Sequence, residues 1–179
     1  MNTGSGRGEV DAELDEARAR FHKLLASATD ADLRRRSNGT RWTNEELLFH
    51  IVFGYMIVRA LLVVVRLFGV LPPGASKAYA RILDAGTRPF DAVNYWGSRA
   101  AATYYDRRRM GAKLDRVIAS LHRSLHATSD AALARGMHFP TRWDPYFTDY
   151  MTLAEVYRYP MRHFEHHEAQ LTLAPRSGS

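Results

Sequence analysis

With cysteine absent from the 179 residues, the chain's eight histidines are the side chains with most chemistry to offer. Disulfides, cysteine nucleophiles and thiolate zinc sites are excluded, so a metal must be held by His, Asp, Glu or main-chain oxygen. His163 and His167 are four residues apart, which on a helix sets them about 40° from each other, one turn apart on one face. Two imidazoles at that spacing can bind one ion. The same spacing also suits two boundary histidines that pack their rings and wet their tips. His166 lies about 60° to the side of His163 and about 100° from His167, off the line of the pair, and is the poorer ligand. His122 and His126 repeat the spacing, but they fall toward the polar edge of their helix beside Arg123 and Ser124 and read as solvent-side.

His50 stands in the most apolar stretch of the chain, Leu47 to Leu71. Arg59, nine residues on, lies on the opposite side of the helix and marks the wet face. His50 therefore points inward with Phe53, Gly54 and Ile57. A buried imidazole is costly unless its nitrogens find partners, either a metal ion or a buried hydroxyl or carbonyl. The segment around His163 is neither H-E-x-x-H nor its inverse, so the usual zinc-protease signature is absent.

The elements that must position these rings are helices. Leu14, Ala17, Phe21, Leu24, Leu25 and Ala28 recur at three- and four-residue intervals and predict a first helix from about Glu9 to Ala28. Thr29-Asp30-Ala31-Asp32 offers a break and a new cap, and Ser37-Asn38-Gly39 is turn chemistry. Thr43 and Glu46 form a capping box that opens a second helix, stopped after Val70 by Pro72-Pro73-Gly74. Residues 76–108 read as a long, partly helical crossover, with helical pieces at Lys77–Asp84 and Ala92–Tyr105 and interruptions at Gly86 and Pro89. Met110 to Ala127 carries an apolar stripe of Leu114, Val117, Ile118, Leu121 and Leu125. A second capping box, Thr152 with Glu155, opens a last helix to about Leu171, which Pro160 should kink. No strand alternation, internal repeat or heptad is found. The expectation is all-α: a four-helix bundle over residues 9–172 with tails at 1–8 (disordered) and 173–179.

The formal charge is +6. Arg34-Arg35-Arg36 and Arg107-Arg108-Arg109 invite a nucleic-acid reading, but arginine at helix ends is ordinary dipole chemistry, so none is expected to bind. Arg59 and Arg66 would be expensive in a bilayer, so Leu47–Leu71 is read as a core helix and not a stable membrane insertion. No secretory signal is read at the start, and a cytoplasmic location is expected. The aromatic residues Phe90, Tyr95, Trp96, Tyr104, Tyr105, Trp143, Tyr146 and Phe147 support an alternative, a non-catalytic bundle that binds a small apolar ligand.

Two segments together resemble the DinB/YfiT-like metalloenzyme family. Trp42-Thr43-Asn44-Glu45-Glu46-Leu47-Leu48-Phe49-His50-Ile51 is similar to that family's W-[ST]-x-x-E-x-x-x-H-[IV] entry to the second helix. His163-Phe164-Glu165-His166-His167-Glu168-Ala169-Gln170-Leu171 is similar to its H-x-x-x-H-x-x-Q-[IL] on the final helix. The resemblance covers roughly residues 10–172. It implies a four-helix bundle, often a homodimer, with Zn²⁺ or Ni²⁺ on His50, His163 and His167. It also implies hydrolysis, or transfer or isomerisation that uses a low-molecular-weight thiol such as mycothiol or bacillithiol, on a small-molecule substrate. Three imidazoles leave a coordination position open, the mark of a catalytic site. Glu46 and Gln170 are the candidates to orient an imidazole or a ligand from the next layer out, Glu46 alongside its capping role. The length and aromaticity of residues 76–108 and the place of Pro160 depart from the family pattern and bear on the shape of the pocket.

Overall fold

The structure, a computed structural model, describes residues 3–174. Eight helices are found among them: α1 (Thr3–Ser27), α2 (Asp30–Arg34), α3 (Asn44–Phe68), α4 (Pro73–Ala85), α5 (Thr87–Tyr104), α6 (Arg107–His126), α7 (Asp130–Leu133) and α8 (Leu153–Glu168). The four long helices α1, α3, α6 and α8 form the bundle. α1 packs on α6 and α8, and α3 packs on the same two, which sets α1 and α3 on opposite corners.

The apolar stripes meet at the centre. Leu14, Ala17 and Phe21 of α1 and Met110, Leu114, Ile118 and Leu121 of α6 are completely or almost completely buried, against Leu48, Tyr55 and Leu62 of α3 and Val156, Tyr157 and Phe164 of α8. α3 is long and apolar enough to cross a membrane by length and composition. More than half of its most apolar stretch is buried inside the bundle.

Caps set the helix starts. The Thr43 hydroxyl accepts from the Glu46 N–H and the Glu46 carboxylate accepts from the Thr43 N–H, so two orphan donors at the head of α3 are satisfied reciprocally. Thr152 and Glu155 do the same for α8, and Thr29 and Asp32 for α2. Pro160 lies inside α8, which runs unbroken to Glu168.

Four expectations are corrected. The stretch Thr3–Gly8, expected as a tail, belongs to α1, and Arg7 anchors it by bonding the Leu125 carbonyl and, at 2.7 Å, Asp130. Met1 and Asn2 lie outside the described residues. Residues 76–108 are helical almost throughout, because Gly86 caps α4 and opens α5, and Pro89 is only the third residue of α5, where no intrahelical N–H bond is forfeited. A short antiparallel pair was not expected: β1 (Gly136–His138) pairs with β2 (Tyr150–Thr152), Met137 opposite Met151. Three-residue strands are too short to show a period of two. Finally, the bundle extends past residue 172: Leu173 packs on the core and the Ala174 N–H donates to Asp32 at 3.3 Å. Residues 175–179 lie outside the described part.

One buried knot aligns the two helices that carry the histidines. Asn44, the first residue of α3, donates to the Asp32 carbonyl (2.8 Å) and accepts from the Thr172 N–H (3.1 Å) just beyond α8. The Asn38 N–H donates to the Gln170 carbonyl at 2.8 Å. The head of α3 is thereby tied to the tail of α8.

Candidate metal centre

His50 stands two turns into α3, and His163 and His167 stand in the last turns of α8. Their ring centroids are 5.0 Å (His50–His163), 4.7 Å (His50–His167) and 4.5 Å (His163–His167) apart. One ring nitrogen from each lies within 4.8 Å of the others, a cluster that can hold one ion. His50 and His163 are 5% exposed, and His167 is half-buried.

Each ring is held differently. His50 Nδ1 lies 3.3 Å from the buried Ser98 hydroxyl of α5, and Trp42 stacks on the ring at 4.5 Å. His167 Nδ1 lies 2.8 Å from Gln170 Oε1; because an amide oxygen only accepts, Nδ1 carries the proton and Nε2 keeps its lone pair. His163 is the exception: its Nδ1 is buried with no hydrogen-bond partner. A buried polar atom left this way is costly, and a metal ion is one way to satisfy it. The ring lies against α3 where Gly54 has no side chain; a Cβ there would fall 2.7 Å from His163 Nδ1.

The electrostatics favour ligation by neutral rings. Burial, reinforced by His167, lowers His50 to about 3. Burial also lowers His167 to about 4, although its bond to Gln170 works the other way. His163 is held well below an ordinary imidazole, first by burial and then by its histidine neighbours. At neutral pH all three rings are unprotonated and offer lone pairs to a cation. An unpartnered nitrogen, a glycine that leaves room for its ring and an all-imidazole donor set together fit a borderline-soft divalent ion.

The remaining candidates separate. Glu46 spends one carboxylate oxygen on its cap and the other on Arg99 at 3.0 Å. It therefore steadies α5 next to Ser98, and neither oxygen is given to His50. His166 is exposed and lies 3.2 Å from the Tyr146 hydroxyl. His122 and His126 are not left to solvent alone: they face Asp11 of α1 at 2.7 and 3.2 Å, and His122 also meets Asp15 at 3.4 Å. Asp11, His122 and His126 form a second group close enough to share a cation, on the α1–α6 seam. Several of the arginines in the two triplets are tied within the chain, Arg35 to Asp32 (2.8 Å) and Arg107 to Asp30 (3.1 Å) among them.

A cavity of about 350 Å³ opens on the triad. Of the aromatics singled out from sequence, Phe90, Trp143, Tyr146 and Phe147 line it, while Tyr95, Trp96, Tyr104 and Tyr105 do not. Ser98 and Asn44, which brace the candidate site, are the residues that sequence reasoning missed; a serine inside a helix or an asparagine at its start carries no signal of a distant partner. In the cavity wall the Tyr159 hydroxyl donates to Asp144 at 2.7 Å, and burial raises the Asp144 carboxyl above its usual range.

Among solved structures, YfiT from Bacillus subtilis, described as a probable metal-dependent hydrolase with an unusual four-helix bundle topology, has the same fold. The TM-score is 0.64 at 18% identity, over 93% of this chain and 83% of that one. No curated protein matches the chain. The family model of the DinB superfamily matches residues 13–171, and the chain belongs to that superfamily.

Proposed function

We propose that the protein is a metal-dependent enzyme that holds one divalent ion, Zn²⁺ or Ni²⁺, on His50, His163 and His167 and acts on a small molecule admitted through the adjoining cavity. The observation that carries this reading is the convergence of three buried or half-buried neutral imidazoles, one ring nitrogen from each within 4.8 Å of the others. An ion held by His50, His163 and His167 would supply Lewis-acid activation to a bound molecule. The chain's own groups do the rest. Ser98 and Gln170 fix the orientation of His50 and His167, Trp42 walls the ring of His50, and the apolar cavity excludes water from the bound molecule.

Hydrolysis is the favoured reaction, with thiol-dependent transfer or isomerisation as its variant. The cavity wall is mostly aliphatic and aromatic and offers few polar groups to a sugar- or acid-bearing thiol such as mycothiol or bacillithiol. Elemental analysis of purified protein should find about one ion per chain, and none in His50→Ala or His167→Ala. Turnover of a neutral aryl ester should follow the metal content and be indifferent to added thiol. Unchanged metal content in both variants would defeat the reading.

A further inference from the structure

We infer that the substrate has an elongated, uncharged apolar body, which lies along α3 and leaves its polar, reacting end at the histidines. This deepens the reading just given and rests on it for the chemistry alone.

Shape is the first argument. The cavity is lined on α3 by His50, Phe53, Ile57, Ala60, Leu61 and Val64, one face at intervals of three and four. Fourteen residues separate His50 from Val64, about 21 Å of helix rise. Tyr79 and Leu83 of α4 lie at the cavity wall with them, so the helical crossover supplies part of the enclosure. The reacting end and the apolar end are therefore far apart, and a compact polar substrate would leave most of the wall wet.

Charge is the second argument. The chain has 25 lysines and arginines, yet none is among the residues lining this cavity. Its one carboxylate is Asp144, already engaged by the Tyr159 hydroxyl and by the Tyr146 N–H at 2.8 Å. An anionic group placed along the apolar wall would lose its hydration and gain no cation there, since the only cation the proposed site holds lies at the histidine end. A hydrocarbon or aryl body fits the wall, with its polar group left at the histidine end.

Two probes of one shape separate charge from size: N-phenyl-1-naphthylamine, which is neutral, and its sulfonated analogue 8-anilino-1-naphthalenesulfonate. Fluorescence titration of the full chain, treated with chelator so that no ion can ligate the sulfonate, should show the neutral probe binding at one per chain and the sulfonate at least ten-fold more weakly. The chain's net charge of +6 would by itself favour the sulfonate, so the expected order runs against bulk electrostatics. Straight-chain alkanols should displace the neutral probe, tightening about three- to four-fold per methylene. Ala60 is exposed in the wall, so Ala60→Glu and Ala60→Trp should fold and should weaken the neutral probe ten-fold or more. Sulfonate binding equal to or tighter than the neutral probe, or binding untouched by both Ala60 variants, would overturn the inference. His50→Ala decides between the two readings: loss of metal with retention of the neutral probe upholds the cavity assignment independently of the metal chemistry, and loss of the probe with the metal counts against it.

Discussion

Gly54 and His163 compete for one space on the α3–α8 seam: the His163 ring sits where a Gly54 side chain would be, with its Cε1 2.8 Å from the ideal Cβ position. Two effects oppose each other in Gly54→Ala. Removing glycine from a helix interior stabilises by about 0.5–1 kcal/mol. The methyl must displace a ring that is buried on every side, and overpacking of that kind costs about 1–3 kcal/mol. The clash wins, and it acts on the ligand. Gly54→Ala should lower metal affinity by ten-fold or more while the far-ultraviolet circular dichroism stays that of a folded bundle. Titration with a chromophoric chelator as competitor measures it; affinity equal to the parent would show that the ring does not need its present place.

The three depressed imidazoles give the metal-free protein an acid limit. His50 and His167 titrate at about 3 and about 4 in the folded chain, and His163 is also well below normal, against about 6.5 for histidine in an unfolded one. A folded value below the unfolded one means that unfolding takes up protons. The stabilisation is complete above about pH 6.5 and is lost as pH falls from there toward 4, by up to about 1.4 kcal/mol per pH unit for each ring. Urea unfolding of chelator-treated protein at pH 7 and 5.5, above the carboxylate range, should show a lower midpoint at 5.5. His163→Leu should flatten the difference. Equal midpoints at the two pH values in the parent would contradict buried neutral rings.

Much of this was legible in the chain, and the reasons differ residue by residue. The capping boxes at Thr43 and Thr152 announce helix starts because a side-chain acceptor three residues before a carboxylate is a local device. The inward direction of His50 follows from Arg59 on the opposite face, since helical angles are additive over short runs. Convergence of His50 with His163 and His167 is different. Spacing leaves each histidine with an ordinary structural explanation, and only the resemblance joined the two segments. Ser98 was invisible because its role depends on α5 folding through Pro89 and lying on α3. The α1 start depends on Arg7 reaching Leu125 and Asp130, more than a hundred residues away. Long-range ties of this kind override local propensity.

Gln170 and Ser98 should differ in weight. Gln170 holds His167 Nδ1 at 2.8 Å, while Ser98 meets His50 Nδ1 at 3.3 Å, near the limit of a hydrogen bond. Loss of an orienting partner behind a metal-bound histidine lowers affinity about 10–100-fold. Gln170→Ala is expected toward the upper end of that range and Ser98→Ala at or below the lower end. Both proteins should remain folded, because neither side chain fills the core. Metal affinities in the reverse order would show that the ring of His50, and not that of His167, depends on its outer partner.

Asn44 tests whether the site depends on the knot that joins the two helices. Its side chain bonds the Asp32 carbonyl and the Thr172 N–H, and all of it is buried. Asn44→Ala would strand the Thr172 N–H, while the Asp32 carbonyl keeps the Arg35 N–H at 3.1 Å, and a buried polar group left without a partner costs about 1–3 kcal/mol. A loss of about 1–3 kcal/mol of stability is therefore expected, read from the urea midpoint. The effect should also be local in a specific way. The end of α8, with His167 and Gln170, is tethered to α3 through this knot, so hydrogen exchange at residues 167–172 should speed up before exchange in α6 does. Metal affinity should fall with it, since one ligand then sits on a fraying helix end. Stability within about 0.5 kcal/mol of the parent, the scale of an ordinary surface change, would mean that α8 is held by its core residues Val156, Tyr157 and Phe164 alone.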